Sequence, residues 1–147
     1  METAIPLVRS HSVSTLVVHV VWATAGRACV LTPELDDVLG GWLVDKAQEC
    51  GSRVLVAGNA SDHVHLLVQH PPAMPVAELV RLLKGSSSDR AGVVYGHSSG
   101  VRWQAGYWAE SVSPDQLTRL ARYVRRQREH HANSMAAEPW EVERPTR

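Results

Sequence analysis

With 147 residues, 44 % of them hydrophobic, the chain can bury one sizeable core but not two comfortable ones, so a single domain is expected. Fifteen basic and fifteen acidic side chains cancel to zero formal charge, which rules out a global positive field and weakens, without excluding, a nucleic-acid partner. Cys29 and Cys50 allow at most one disulfide, so a disulfide framework is excluded and a reducing cytoplasm is the expected setting.

In chain order, residues 1–11 show no periodicity and are expected to form a flexible tail. From Val13 to Thr24 β-branched residues dominate and predict a buried strand that stops at Gly26 and Arg27. This run, "TLVVHVVWAT", is too short and too β-branched to span a membrane, and no signal segment precedes it. Thr32, Pro33 and Glu34 open a helix, with Thr32 as N-cap and Pro33 in the first turn. Its apolar stripe is Leu35, Val38, Leu39, Trp42, Leu43 and Ala47, up to Gly51. "RVLVAGNA" predicts a second strand, and "HVHLLVQ" a third, joined by a tight connection over Gly58 to Ser61 and therefore antiparallel.

Pro71, Pro72 and Pro75 close the third strand. Val76, Leu79, Val80, Leu82 and Leu83 predict a second helix, disturbed or ended at Gly85. The polar stretch from Ser86 to Gly106 carries no clear pattern, and a fourth strand is expected near Tyr107 to Val112. Ser113 and Pro114 then start a last helix with the stripe Leu117, Leu120, Ala121 and Val124. After Asn133 the pattern dissolves, which leaves one domain over 12–133 and a second tail over 134–147. The order β-α-β-β-α-β plus one helix predicts an α+β fold, a ferredoxin-like split βαβ sandwich. Both internal helices would cover one face of a four-stranded antiparallel sheet, with the other face open.

Side chains two apart in a strand share a face, so His63 and His65 point the same way and make half of a metal site. By spacing alone, two histidines satisfied by water or carboxylates on a half-exposed sheet face are the commoner outcome, and a cation needs a further ligand from elsewhere. Tyr123 and Gln127 stand four apart in "RYVRRQREHH", one above the other on a helix, with His130 and His131 beyond them. Arg119, Arg122, Arg125, Arg126 and Arg128 surround them, a setting suited to phosphate or simply a solvated basic face. Lys84, at the end of the second helix, is a further candidate for a DNA contact. His19 would lie beside the histidine pair if the first and third strands are neighbours, and otherwise serves as a core histidine. Asp62 is placed to orient an imidazole.

Four stretches together resemble a known family. "DHVHLLV" looks like the histidine, hydrophobic residue, histidine signature of the HUH nucleases. "LKGSSS", "WQAGYWAESVS" and "YVRRQREHH" follow in the order seen in single-tyrosine transposases of small bacterial insertion sequences, the TnpA type. The closest likeness is to REP-associated tyrosine transposases, over roughly residues 14–131.

The resemblance implies an enzyme that cuts and rejoins single-stranded DNA, with hairpin ends, through a 5′-phosphotyrosine intermediate. Carried over by position, Tyr123 matches the nucleophile, His63 and His65 the metal pair, and Gln127 the third ligand of Mg²⁺ or Mn²⁺. Arg122, Arg125 and Arg126 would hold flanking phosphates. Because the family's tyrosine helix commonly docks on a partner, a homodimer is also implied. Two other readings compete: a non-catalytic single-stranded nucleic-acid binder of the same fold, and a structural zinc site built from His63, His65 and a terminal histidine.

Overall fold

The computed structural model describes residues 4–9, 12–96 and 101–127. Strands β1 (Leu7–Arg9) and β2 (Ser12–Ser14) pair antiparallel, so Leu7–Arg9 form a strand inside the stretch whose lack of periodicity suggests a tail. Gln69 holds the approach to these strands by a reciprocal pair: Ile5 N–H donates to Gln69 Oε1 at 3.2 Å, and Gln69 Nε2 donates to the Ile5 carbonyl.

The core elements are β3 (Val17–Ala23), α1 (Pro33–Glu49), β4 (Arg53–Asn59), β5 (His63–Gln69), α2 (Val76–Tyr95), β6 (Trp108–Ser111) and α3 (Leu117–Arg125). The larger sheet has the order β4-β5-β3-β6 with every neighbour antiparallel, the split βαβ arrangement. Alternation along the strands sorts the side chains into two cores. Val18, Val20 and Trp22 of β3 and Val64, Leu66 and Val68 of β5 meet Leu35, Leu39 and Leu43 of α1 and Leu79, Val80 and Leu83 of α2. On the opposite face Val17, Leu55, Val56 and Leu67 pack against Leu117, Ala121 and Val124 of α3. An irregularity between Val54 and Val56 breaks the β4 register, which is how Leu55 and Val56 both reach that second core. The second face is therefore not open: α3 covers its β4–β5 half.

Two helix features differ from expectation. Gly85 neither ends nor visibly disturbs α2, which runs on to Tyr95 and stops at Gly96, whose φ of 86° is left-handed. The serines after Gly85 fit the helix because their hydroxyls bond backward: Ser87 Oγ donates to the Leu83 carbonyl at 2.8 Å and Ser88 Oγ to that of Gly85 at 3.1 Å. Burial of Ser87 and Ala91 adds a tertiary reason to stay helical. Thr32 and Ser113 stand in extended conformation ahead of their helices, but neither side chain makes a capping hydrogen bond, and a 3₁₀ turn (Pro114–Gln116) leads into α3. Among the described residues no helix is long and apolar enough to cross a membrane.

Candidate active site

β3 and β5 are hydrogen-bonded neighbours, with Val21 opposite His65 and Ala23 opposite His63. His19, His65 and His63 consequently share the sheet face that α3 approaches, and His63 and His65 are fully buried there. His19 Nε2 lies 2.9 Å from His65 Nδ1, with ring centroids 5.1 Å apart and ring planes inclined by 28°. Asp62 takes the corresponding place at His63: His63 Nδ1–H donates to Asp62 Oδ1 at 2.7 Å, while Arg27 Nε–H donates to Asp62 Oδ2 at 2.8 Å. Burial raises the Asp62 carboxyl pKa, but hydrogen bonds from Arg27 and His63 and the Arg27 charge outweigh it and hold the group below its ordinary value. Arg27 has a φ of 54°, an uncommon backbone for a residue with a side chain, directly after Gly26 at 63°. Thr24 pins the same turn, its N–H donating to the Asp62 carbonyl at 2.8 Å.

From the other side, α3 lays Leu117, Ala121 and Val124 into the second core and carries Tyr123 inward. The Tyr123 ring meets His65 at 5.6 Å and His19 at 6.3 Å, edge-on to both. Gln127, one turn on and fully buried, donates from Nε2 to the Tyr123 carbonyl at 3.2 Å. That bond turns its Oε1 toward His63 Nε2, 3.4 Å away.

Of the residues singled out in the sequence, Tyr123, His63, His65 and Gln127 thus converge within one chain. His19 and Asp62 join them as neighbours of the two imidazoles. Arg122 is exposed on α3, and Arg125 and Arg126 line a cleft of about 640 Å³ with Asp36, Asp37 and Asn59, between α1, β4 and the end of α3. Lys84 stands apart, on a helix that packs against the opposite sheet face; its Nζ donates to the Gln104 and Gly106 carbonyls at 2.6 and 2.9 Å, and burial lowers its pKa. His130 and His131 lie outside the described residues.

Two neighbours of the site carry no signal of that place in their sequence. By its sequence Arg27 marks only the end of the first strand, although a bulky residue after glycine at a turn is where an unusual φ can occur. Gly58 falls where the second predicted strand meets its connection, and it is the place where α3 touches β4: an ideal Cβ would stand 1.7 Å from the Val124 carbonyl oxygen.

The donor set can be tested for a cation. With its Nδ1–H engaged by a carboxylate, a neutral His63 turns the lone pair of Nε2 toward the lone pairs of Gln127 Oε1. A proton on Nε2 or a cation between the two atoms satisfies that arrangement. Donors at right angles around an octahedral cation about 2.1 Å away lie about 3 Å apart, close to the 3.4 Å found here. Among the described residues no three His, Cys, Asp or Glu side chains group as a metal cluster, and the terminal histidine that a zinc site would need lies outside them.

Comparison with known proteins places these features in context. The family described as "Transposase IS200 like" matches residues 12–127. The ISDra2 transposase TnpA of Deinococcus radiodurans is 31 % identical over 114 residues, 74 % of this chain and 81 % of the relative. The transposase for insertion sequence element IS200 of Salmonella typhimurium is 27 % identical over 116 residues, 76 % of each chain. A crystallised Deinococcus radiodurans protein assigned as a transposase superposes with a TM-score of 0.67 at 27 % identity, covering 83 % of this chain and 98 % of its own. A REP-associated tyrosine transposase bound to a REP hairpin shares the fold with a TM-score of 0.60 at 13 % identity, over 85 % of this chain and 73 % of the other.

Proposed function

The chain belongs to the IS200-like transposase family, and from that premise we propose that it cuts and rejoins single-stranded DNA through a covalent 5′-phosphotyrosine on Tyr123, assisted by Mg²⁺ or Mn²⁺ at His63, His65 and Gln127. The observation that carries this reading is the convergence of the Tyr123 ring, the two imidazoles and the Gln127 amide oxygen at one place in the fold. When bound, the cation would polarise a phosphate oxygen and offset charge developing at phosphorus.

Tyr123 supplies the nucleophile. Its phenolic oxygen forms a bond to the scissile phosphorus as the bond from phosphorus to the 3′ oxygen breaks. The phenol loses its proton and the departing oxygen gains one, leaving a free 3′-hydroxyl and a 5′ phosphate on the tyrosine. The phosphodiester's energy is kept in that linkage, so an incoming 3′-hydroxyl can reverse the step and join strands without a further energy source. Gln127 couples nucleophile and ligand set, since the same amide holds the Tyr123 carbonyl and faces His63. Arg122, Arg125 and Arg126 offer guanidinium groups near this helix for flanking phosphates. The relative solved with a REP hairpin supports DNA with hairpin ends as the partner. All four central side chains come from one chain, so the site is read as complete in cis; a homodimer would carry two such sites.

Incubation with a single-stranded oligonucleotide and Mn²⁺ should yield a protein–DNA adduct that survives denaturing electrophoresis. Tyr123→Phe should abolish the adduct while Mn²⁺ and DNA still bind, because only the phenolic oxygen is removed. His63→Ala and His65→Ala should lose metal-dependent cleavage. DNA binding by the wild-type chain with no adduct under any of these conditions would favour the non-catalytic binder instead, and an adduct that persists in Tyr123→Phe would move the nucleophile elsewhere.

A further inference from the structure

His19 belongs to none of the groups that would touch metal or DNA, yet it is 4 % exposed in a strand otherwise built of valines, Trp22 and Ala23. Burying an imidazole costs free energy unless its nitrogens find partners. Its Nε2 meets Nδ1 of His65 at 2.9 Å, and two neutral imidazoles can share that contact in two ways only. If His65 accepted there, its own proton would sit on Nε2 and close that nitrogen to a cation. If His65 donates there, its lone pair lies on Nε2, at the far edge of the ring.

Resting on the reading of His65 as a metal ligand, we propose that His19 is a positioning residue: its Nε2 accepts the Nδ1 proton of His65 and fixes His65 in the tautomer that presents Nε2 to a divalent cation. Asp62 does the same for His63 with a carboxylate that can only accept, so both imidazoles are gripped by Nδ1 from behind. The two grips differ in charge. A neutral imidazole behind His65 orients it without adding a second anion to the site, which leaves the cation's charge for phosphate. His19 then carries its own proton on Nδ1, and the described groups that meet its ring besides His65 include Trp108 and Tyr123, both edge-on, with Glu110 directly across the β3–β6 pair.

The test is long-range ¹H–¹⁵N imidazole spectra of the full chain without metal or DNA, above the histidine titration range, together with Mn²⁺ binding followed by electron paramagnetic resonance. In the wild type His65 should be protonated on Nδ1. His19→Phe keeps a ring of similar size but removes the acceptor; His65 should then spread over both tautomers, and Mn²⁺ affinity should fall about 10- to 100-fold. His19→Gln, whose amide oxygen can accept the same proton, should keep affinity within a few-fold of the wild type. The proposal is overturned if wild-type His65 carries its proton on Nε2, if His19→Phe changes neither tautomer nor affinity, or if His19→Gln loses as much as His19→Phe. Should His19→Phe not fold, the wild-type tautomer and the Gln variant decide. Because the tautomer is read without DNA, this outcome is independent of whether Tyr123 forms an adduct.

Discussion

At Gly58 the backbone of α3 comes so close to β4 that a methyl group would overlap the Val124 carbonyl. Both partners are main chain, so relief requires the helix to move as a whole, carrying Tyr123 and Gln127 with it. Gly58→Ala should therefore cost about 1–3 kcal/mol in urea unfolding and lower adduct formation more than a core truncation of equal destabilisation. Equal losses from both substitutions would mean that Gly58 matters only for packing. The residues that carry the candidate chemistry were legible where their relation is local. His63 and His65 share a face through the two-residue period of a strand, and Tyr123 and Gln127 through the turn of a helix. The contacts of His19, Arg27 and Gly58 depend on which strand lies beside which and where a distant helix lands, and no local pattern encodes either.

Helix α2 shows how tertiary burial settles an element that propensity leaves ambiguous. Glycine and three serines in succession are poor helix formers, yet backward hydroxyl bonds and a buried inner face carry the helix ten residues past Gly85 to Tyr95. Ser87 adds a second tie, accepting the Trp103 indole N–H at 3.0 Å and so drawing the segment after α2 back to the helix. The space around a Cβ at Gly85 is empty within 4 Å and its φ is not left-handed. Gly85→Ala should consequently stabilise the protein by about 0.5–1 kcal/mol through the lost freedom of the unfolded chain. A fall in the thermal midpoint would show that the helix relies on glycine for a contact not seen here.

At the scale of the molecule, the sheet separates two tasks. Its α1–α2 face is the main hydrophobic core, while the α3 face holds a smaller core beside a cluster of polar rings. Because α3 docks on its own sheet, subunits of Tyr123→Phe mixed with subunits of His63→Ala should recover no adduct formation. Recovery in the mixture would mean that the tyrosine helix crosses between subunits. The short apolar, β-branched runs of β3, β4 and β5 and the helix stripes already determined the split βαβ order, because a strand buried on both faces reads as a continuous apolar run and a half-buried helix as a stripe. The strand and helix periods put His63 with His65, and Tyr123 with Gln127, on a common face. Only the tertiary structure decided that the second face is half covered, that Gln127 faces His63, and that His19 and Asp62 stand behind the two imidazoles. Those contacts join residues 46 to 64 positions apart or hang on a single turn's geometry, and such meetings are fixed by how whole elements pack rather than by any stretch of sequence alone.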